Sequence, residues 1–413
     1  MEKLKVAHIS TTYLKPSETF IYNFVSNHRK YEPYVVTEEW INKDIFPTKN
    51  VWEMPHLNLL QRGENLISKQ LFIETSASNR SYMSYLKKLR PDVILAHFGQ
   101  VGMYAVPIKE KLNVPLVTYF YGIDLDYNKL SVELGPSGSD KFHLPLVSRG
   151  NYWRGGYKRL WEKGSAFLTF SAKSRAYLIS VLGAPEEKVF SVPGGVDLSH
   201  FGFKQRSLPK DGEIKFVTVN RLVEKKGVEY AIKAMPYVLK KYPKATYEIM
   251  GKGPLLAPLQ SLIDKLNLKN SVKLLGFTPD KVLVKKLDEA HVFLNPSVVA
   301  KDGDIEGWVN VTLMESIASG LPAVATYESG SETVIPNYTG YICAERDPED
   351  LADKILLLLG DPEGYERTSR NCRELAEKSF DARKQTKKLE NLFDFVISKS
   401  QNSNCQISSP PQR

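Results

Sequence analysis
Apolar residues along this chain fall into two alternating patterns. Short, largely apolar runs at residues 5–10, 34–36, 92–97, 114–121, 166–171 and 189–192 read as strands, whereas 19–27 and 172–182 carry apolar positions at helical spacing. After a polar, turn-rich stretch from Leu198 to Gly212 the rhythm restarts, with strands at 215–219, 245–250, 272–275, 292–295 and 323–326 and helices at 254–266 and 281–290 between them. In the helix predicted over Gly227 to Lys240, Val228, Ala231, Ile232, Met235, Val238 and Leu239 share one face. Strands separated by helix-length segments predict βαβ units and parallel sheets, so the pattern implies an α/β protein of two doubly wound, Rossmann-like domains.

The boundaries that follow are an N-terminal domain over 1–200, a linker over 201–212, a C-terminal domain over 213–380, a helix over 381–399 packing back toward the first domain, and a disordered polar tail over 400–413. The length of 413 residues agrees with two cores. A Gly-containing polar segment, Asp124 to Gly156, interrupts the first series and reads as a mobile flap or a short helical hairpin.

Composition narrows the function classes. Cys343, Cys372 and Cys405 have no metal-binding or disulfide-framework spacing, which fits a reducing compartment. The first apolar run, Val6 to Ile9, is far shorter than a signal segment, and no run approaches a membrane span, so a cytoplasmic protein is expected. A net charge of +9 favours anionic partners, either a phosphate-bearing substrate or an anionic membrane surface, but no basic block marks a nucleic-acid site.

The candidate chemistry lies at predicted strand ends, where open α/β sheets bind their ligands. Arg221 and Lys226 follow the first strand of the second series; a planar guanidinium beside a compact ammonium suits a diphosphate, although charge in such a loop is also found merely solvated. Gly251 and Gly253 follow the next strand and allow either close approach to a ligand or a tight turn. The stretch Lys301 to Pro322 has an acidic, glycine-containing loop with Glu306 and Gly307, then a helix ending at Gly320. The first turn of that helix offers unpaired backbone N–H groups to a phosphate.

These motifs, Arg221-Leu222 with Lys226-Gly227, the turn Gly251 to Pro254, Gly276-Phe277, Asn295-Pro296-Ser297, and Glu306-Gly307 followed by Leu313-Met314-Glu315, resemble in order and spacing the retaining family 4 glycosyltransferases of the GT-B fold. Phe170-Ser171, Pro193 to Asp197 and the stretch Pro16 to Ile21 extend the similarity over residues 3–398, the last toward a branch that builds bacterial exopolysaccharide and capsule units.

The resemblance implies two domains facing a central cleft, and transfer of a hexose from a nucleotide-diphosphate-sugar to a glycan on polyprenyl diphosphate at the inner membrane face, with retention of configuration and without a metal or other cofactor. Arg221 and Lys226 would stabilise the leaving diphosphate, Glu306 would face the transferred sugar with the backbone of Gly307, Asn310, Val311 and Thr312, and Glu315 would bind the ribose. Glu18, Thr19, His97, Tyr121, Gly122 and Asp124 would line the acceptor side, with a helix cap formed by Ser17, Glu18 and Thr19 as the alternative for the first two.

Two departures stand out. Eight residues separate Glu306 from Glu315 where the family has seven, which matters only if the extra one lies inside the helix, since each residue turns it by about 100°. Tyr121 stands where the family has a histidine, and a phenol titrating near pH 10 cannot replace an imidazole as proton acceptor; His97 is the candidate substitute. A sugar-nucleotide epimerase, a glycoside hydrolase using Glu306 and Glu315, and a non-catalytic partner subunit remain as alternatives.

Overall fold
A computed structural model describes residues 3–15, 18–70, 76–125, 149–306, 310–330 and 332–407. The chain divides into two compact units, residues 1–195 with 383–413, and residues 196–382. The stretch 201–212 thus lies inside the second unit.

The first unit holds β1 (Leu4–Tyr13), α1 (Thr19–Asn27), β2 (Tyr31–Trp40), β3 (Val51–Glu53), α2 (Leu59–Gln70), α3 (Ala77–Leu89), β4 (Val93–His97), α4 (Gly99–Leu112), β5 (Leu116–Phe120), α5 (Arg149–Lys163), β6 (Ala166–Thr169), α6 (Ala172–Ser180) and β7 (Val189–Ser191). Its sheet is ordered β3-β2-β1-β4-β5-β6-β7, with every pairing parallel. β4 and β5 are buried at every residue, the unbroken apolar signature of strands covered on both faces.

The second unit holds β8 (Lys215–Val219), α7 (Val228–Lys241), β9 (Thr246–Met250), α8 (Leu256–Lys265), β10 (Val272–Gly276), α9 (Asp280–Glu289), β11 (Val292–Asn295), α10 (Val311–Ala318), β12 (Ala323–Thr326), α11 (Tyr327–Gly330), β13 (Gly340–Cys343), α12 (Pro348–Leu359) and α13 (Pro362–Ser379). Its parallel sheet is ordered β10-β9-β8-β11-β12-β13. The apolar face of α7 packs as its periodicity requires: Val228, Ala231, Ile232, Met235 and Val238 join Phe216, Tyr247, Ile249, Val292 and Leu294 in one core.

Each sheet has the Rossmann strand order, with a reversal between its first and fourth strands that opens a crevice at their carboxyl ends. The expected fold class, two parallel doubly wound domains, is the one observed.

Differences from the sequence reading have local causes. The C-terminal helix, α14 (Ala382–Ile407), runs beyond Lys399 into the stretch expected to be disordered. The end of the segment read as a flap or hairpin is the start of α5, while 126–148 lie outside the described residues. No described helix is long and apolar enough to cross a membrane.

Candidate functional site
At the reversal point of the second sheet, β8 and β11 end side by side and release the loops that carry most of the candidate residues. Three buried asparagines tie the loops together: Asn220 donates to Asn295 Oδ1 at 3.0 Å, and Asn310 donates to Asn220 Oδ1 at 3.3 Å and to Asn295 Oδ1 at 3.4 Å. The amide nitrogen of Asn295 is buried and has no partner among the described residues.

The two cations of the Asn220 to Gly227 loop differ in kind. Arg221 is exposed, and no ion pair or side-chain hydrogen bond to another described residue engages its guanidinium. Lys226 is buried, with its ammonium 2.6 Å from Glu306 Oε2. Burial disfavours ionisation of Glu306, but Lys226, Lys225 and a 3.3 Å hydrogen bond from Ser297 outweigh it and hold the carboxylate below its usual range. Lys225 secures the same acidic loop, donating to Asp304 at 3.0 Å and to the Ile305 carbonyl at 3.1 Å.

Helix α10 begins at Val311, five residues after Glu306. Its N-cap changes one expectation. The side chain of Asn310 accepts from the N–H groups of Thr312 and Leu313 at 3.0 and 3.3 Å, so two of the amides expected to be open to a phosphate are already paired within the chain. The Thr312 hydroxyl donates to the Val219 carbonyl at 2.9 Å and pins the helix to the end of β8. Gly307 lies outside the described residues.

Glu315, one turn into α10, is buried without a hydrogen-bond partner among the described residues. Burial, with Asp280 adding to it, lifts its pKa to about 8. The glycines after β9 answer to backbone packing: Gly251 has φ +145°, and a Cβ there would stand 1.8 Å from the Asn220 carbonyl oxygen, while a Cβ on Gly253 would meet the Leu222 carbonyl.

In the first unit the candidates cluster at the carboxyl ends of β1, β4 and β5. Glu18 is buried and its carboxylate accepts from the Lys15 N–H at 3.2 Å; burial raises its pKa, with Lys15 pulling the other way. It precedes α1 without a side-chain cap bond, so the cap alternative does not hold for Glu18, and Ser17 lies outside the described residues. Thr19 opens α1.

Asp124 is buried, and its carboxylate is engaged by the backbone around it. Its carboxylate accepts from the N–H groups of Gly99, Tyr121 and Gly122 at 2.8, 2.9 and 3.0 Å, fixing the start of α4 and the turn after β5, where Gly122 has φ +120°. Burial lifts its pKa to about 6 although these amides hold it down. His97 is also buried, with both ring nitrogens engaged, by His8 at 2.9 Å and by Tyr121 Oη at 2.7 Å, so it does not itself present a free nitrogen. Tyr121 is partly exposed and set among Phe20, Phe98, Tyr119 and Phe170.

Sequence reasoning missed Asn220 and Ser297 as structural members of the second site, and His8, His28 and Glu390 behind the first. Asparagines at successive strand ends were the available signal for Asn220. Ser297 stood in the Asn295-Pro296-Ser297 motif, and no signal existed for His8, His28 and Glu390, whose meaning comes only from tertiary contact.

Comparison with known proteins places this geometry. Residues 201–375 match the family described as Glycosyl transferases group 1, and residues 23–200 that described as Glycosyltransferase Family 4. The chain is 31% identical over 310 residues to WcaL of Escherichia coli K12, named for colanic acid biosynthesis, covering 74% of this chain and 69% of that one. It is 33% identical to the amylovoran biosynthesis glycosyltransferase AmsK of Erwinia amylovora, covering 66% of this chain and 62% of the relative. Among solved structures, Anabaena Alr3699/HepE in complex with UDP superposes with a TM-score of 0.71 at 16% identity, covering 95% of this chain and 99% of that one. WaaG, a glycosyltransferase of lipopolysaccharide biosynthesis, does so with a TM-score of 0.63 at 16% identity, covering 94% and 99%. The chain belongs to the family 4 glycosyltransferases of the GT-B fold, on the branch that holds the bacterial exopolysaccharide glycosyltransferases.

Proposed function
We propose that the chain transfers a hexose from a nucleotide-diphosphate-sugar to a glycan carried on polyprenyl diphosphate, with retention and without a metal, in exopolysaccharide synthesis. The observation that carries this reading is the pairing, at the reversal point of the second sheet, of an exposed guanidinium without a partner among the described residues, Arg221, with a buried lysine five residues on, Lys226. Two fixed positive charges suit a diphosphate and would stabilise the charge that grows on it as the bond to the sugar breaks, the role a metal plays in other transferases. HepE has been solved with UDP and with UDP-glucose, which supports a diphosphate donor here.

Glu315 would then meet the ribose and Glu306 the transferred sugar. On the first unit, Tyr121, a partly exposed residue, would meet the acceptor hydroxyl. The basic balance of the chain, +9, would favour approach to an anionic membrane surface from the cytoplasm.

Calorimetric titration with a panel of nucleoside diphosphates and nucleotide-sugars, in the presence of a chelator, tests the donor site. Micromolar binding of one member is expected, weakened ten- to a hundredfold in Arg221→Ala, roughly 1.4–2.8 kcal/mol, the scale of a charge-assisted hydrogen bond. The melting temperature should be unchanged because Arg221 is exposed. No binding across the panel by the folded protein would defeat the reading, and the anomeric configuration of the product, read by NMR, tests retention.

A further inference from the structure
Behind Tyr121 lies a buried chain of hydrogen bonds for which binding a nucleotide-sugar has no need. Tyr121 Oη is 2.7 Å from His97 Nδ1, His97 Nε2 is 2.9 Å from His8 Nδ1, His8 Nε2 is 3.0 Å from His28 Nε2, and His28 Nδ1 is 3.1 Å from Glu390 Oε1. The five residues come from the ends of β5 and β4, the middle of β1, the end of α1 and the last helix, all within the first unit. The three imidazoles and Glu390 are nearly closed to solvent, and only Tyr121 is partly open.

The polarity of this chain follows from its far end. Glu390 Oε1 also accepts from the N–H groups of Arg29, Lys30 and Tyr31 at 2.8, 3.0 and 3.3 Å, so it is a carboxylate acceptor and His28 donates to it from Nδ1. If His28 is neutral, its Nε2 bears a lone pair. His8 must then donate from Nε2 and accept at Nδ1, His97 must donate from Nε2 and accept at Nδ1, and Tyr121 must donate to His97. Every bond points toward Glu390, and Tyr121 Oη, having donated to His97, keeps its lone pairs for a further donor. One added proton on His28 reverses every bond between it and Tyr121, with no charge left on His8 or His97.

We propose that this chain is a proton relay in which Tyr121 takes the proton of a sugar hydroxyl bound at the carboxyl ends of β4 and β5 and the charge comes to rest on His28 against Glu390. Its catalytic role rests on the glycosyl-transfer reading. As the acceptor oxygen bonds to the anomeric carbon, the bond from that carbon to the diphosphate oxygen breaks and its electron pair leaves with the nucleotide. The acceptor proton passes to Tyr121 Oη, the phenolic proton to His97 Nδ1, the His97 Nε2 proton to His8 Nδ1, and the His8 Nε2 proton to His28 Nε2. The diphosphate gains one negative charge and His28 one positive charge. After product leaves, the same chain run backwards returns the proton to water at Tyr121.

The electrostatics agree with this resting place. Burial, with His28 as the next cause, keeps His8 well below the usual imidazole range and His97 at about 3, so neither holds charge. Burial alone would raise Glu390, but His28 and three backbone amides bring it down to about 2, so it pairs with an imidazolium rather than taking its proton. Burial, with Tyr119, Asp124 and Glu18 nearby, keeps Tyr121 well above 10, so it acts as a neutral relay and never as a standing phenolate. A histidine at position 121 is therefore not required for proton acceptance.

Histidine-selective 15N NMR on the full chain reads the relay independently of turnover. Across a pH series, His8 and His97 should both be neutral Nε2–H tautomers while His28 is neutral, and both neutral Nδ1–H tautomers once His28 carries a second proton. The carboxyl groups facing the two ends, Glu18 and Asp124 at Tyr121 and Glu390 at His28, are assigned in the same titration. His97 fixed as Nδ1–H at high pH, or rings that ignore His28, would overturn the relay. In kinetics, Tyr121→Phe should retain donor binding and lower transfer to acceptor about a hundredfold, with loss of the multi-proton solvent isotope effect. Glu390→Gln, which removes the carboxylate facing His28, should weaken the coupled tautomer change and lower transfer severalfold. Unchanged transfer in Tyr121→Phe, with wild type active, defeats the relay and leaves the transferase reading intact; a folded wild type that neither binds donor nor transfers sugar defeats both.

Discussion

Lys226→Ala should cost the second unit about 3–5 kcal/mol of stability, because it strands the buried carboxylate of Glu306 without the ammonium now 2.6 Å away. Ser297 and the neighbouring Lys225 remain and soften the loss. The sign of the pH dependence identifies the cause. In the wild type the pKa of Glu306 is depressed, so its contribution is present above the unfolded value and is lost as pH falls through the folded one. In the variant, burial prevails and raises it, so stability is present below the unfolded value, near 4.5, and is lost as pH rises. The deficit measured by chemical denaturation should therefore be large at pH 7 and shrink toward pH 4.5.

Adding Glu306→Gln should recover much of the stability and none of the transfer, which is expected to fall by about 10²–10³ when a group stabilising the leaving diphosphate is removed. A deficit equal at both pH values would show that Lys226 acts through packing and not through its charge. The contrast with Arg221→Ala is the useful one: two cations in a single loop, one coupled to folding and one open to solvent.

The parts of this molecule that follow from adjacent residues were legible in the sequence. Apolar runs such as Val93 to His97 and the one-sided periodicity of α7 gave the parallel sheets, and the cations after β8 singled out the loop that carries Arg221 and Lys226. Helix α4 was not legible, because Gly99, Gly102 and Pro107 break its propensity pattern; tertiary packing explains the two glycines, where a Cβ would stand 2.4 Å from Phe120 and 2.5 Å from Thr118. The chain from Tyr121 to Glu390 was invisible for another reason. His28 and Glu390 are 362 positions apart, and no local pattern links a strand histidine to a carboxylate on the last helix. His97 read alone suggested a free imidazole, and only its two partners show that both nitrogens are taken.

Glu315→Gln should stabilise the protein at pH 8 by about 4 kcal/mol while leaving it nearly unchanged near pH 4.5. Burial raises this carboxyl to about 8 in the folded chain, so between the unfolded value near 4.5 and about 8 the unfolded state sheds a proton that the folded state keeps. Stability is therefore fully present below 4.5 and declines as pH rises, and a neutral amide removes the decline. Denaturant midpoints at pH 5 and 8 test this, and parallel profiles for wild type and variant would refute it. The same carboxyl gives a binding test. Ribose hydroxyls that donate to Glu315 favour its ionised form, so nucleotide binding at pH 7 should release a proton in the wild type and none in Glu315→Gln. Calorimetry in buffers of different ionisation enthalpy measures that proton directly, and its absence in the wild type would remove Glu315 from the donor site.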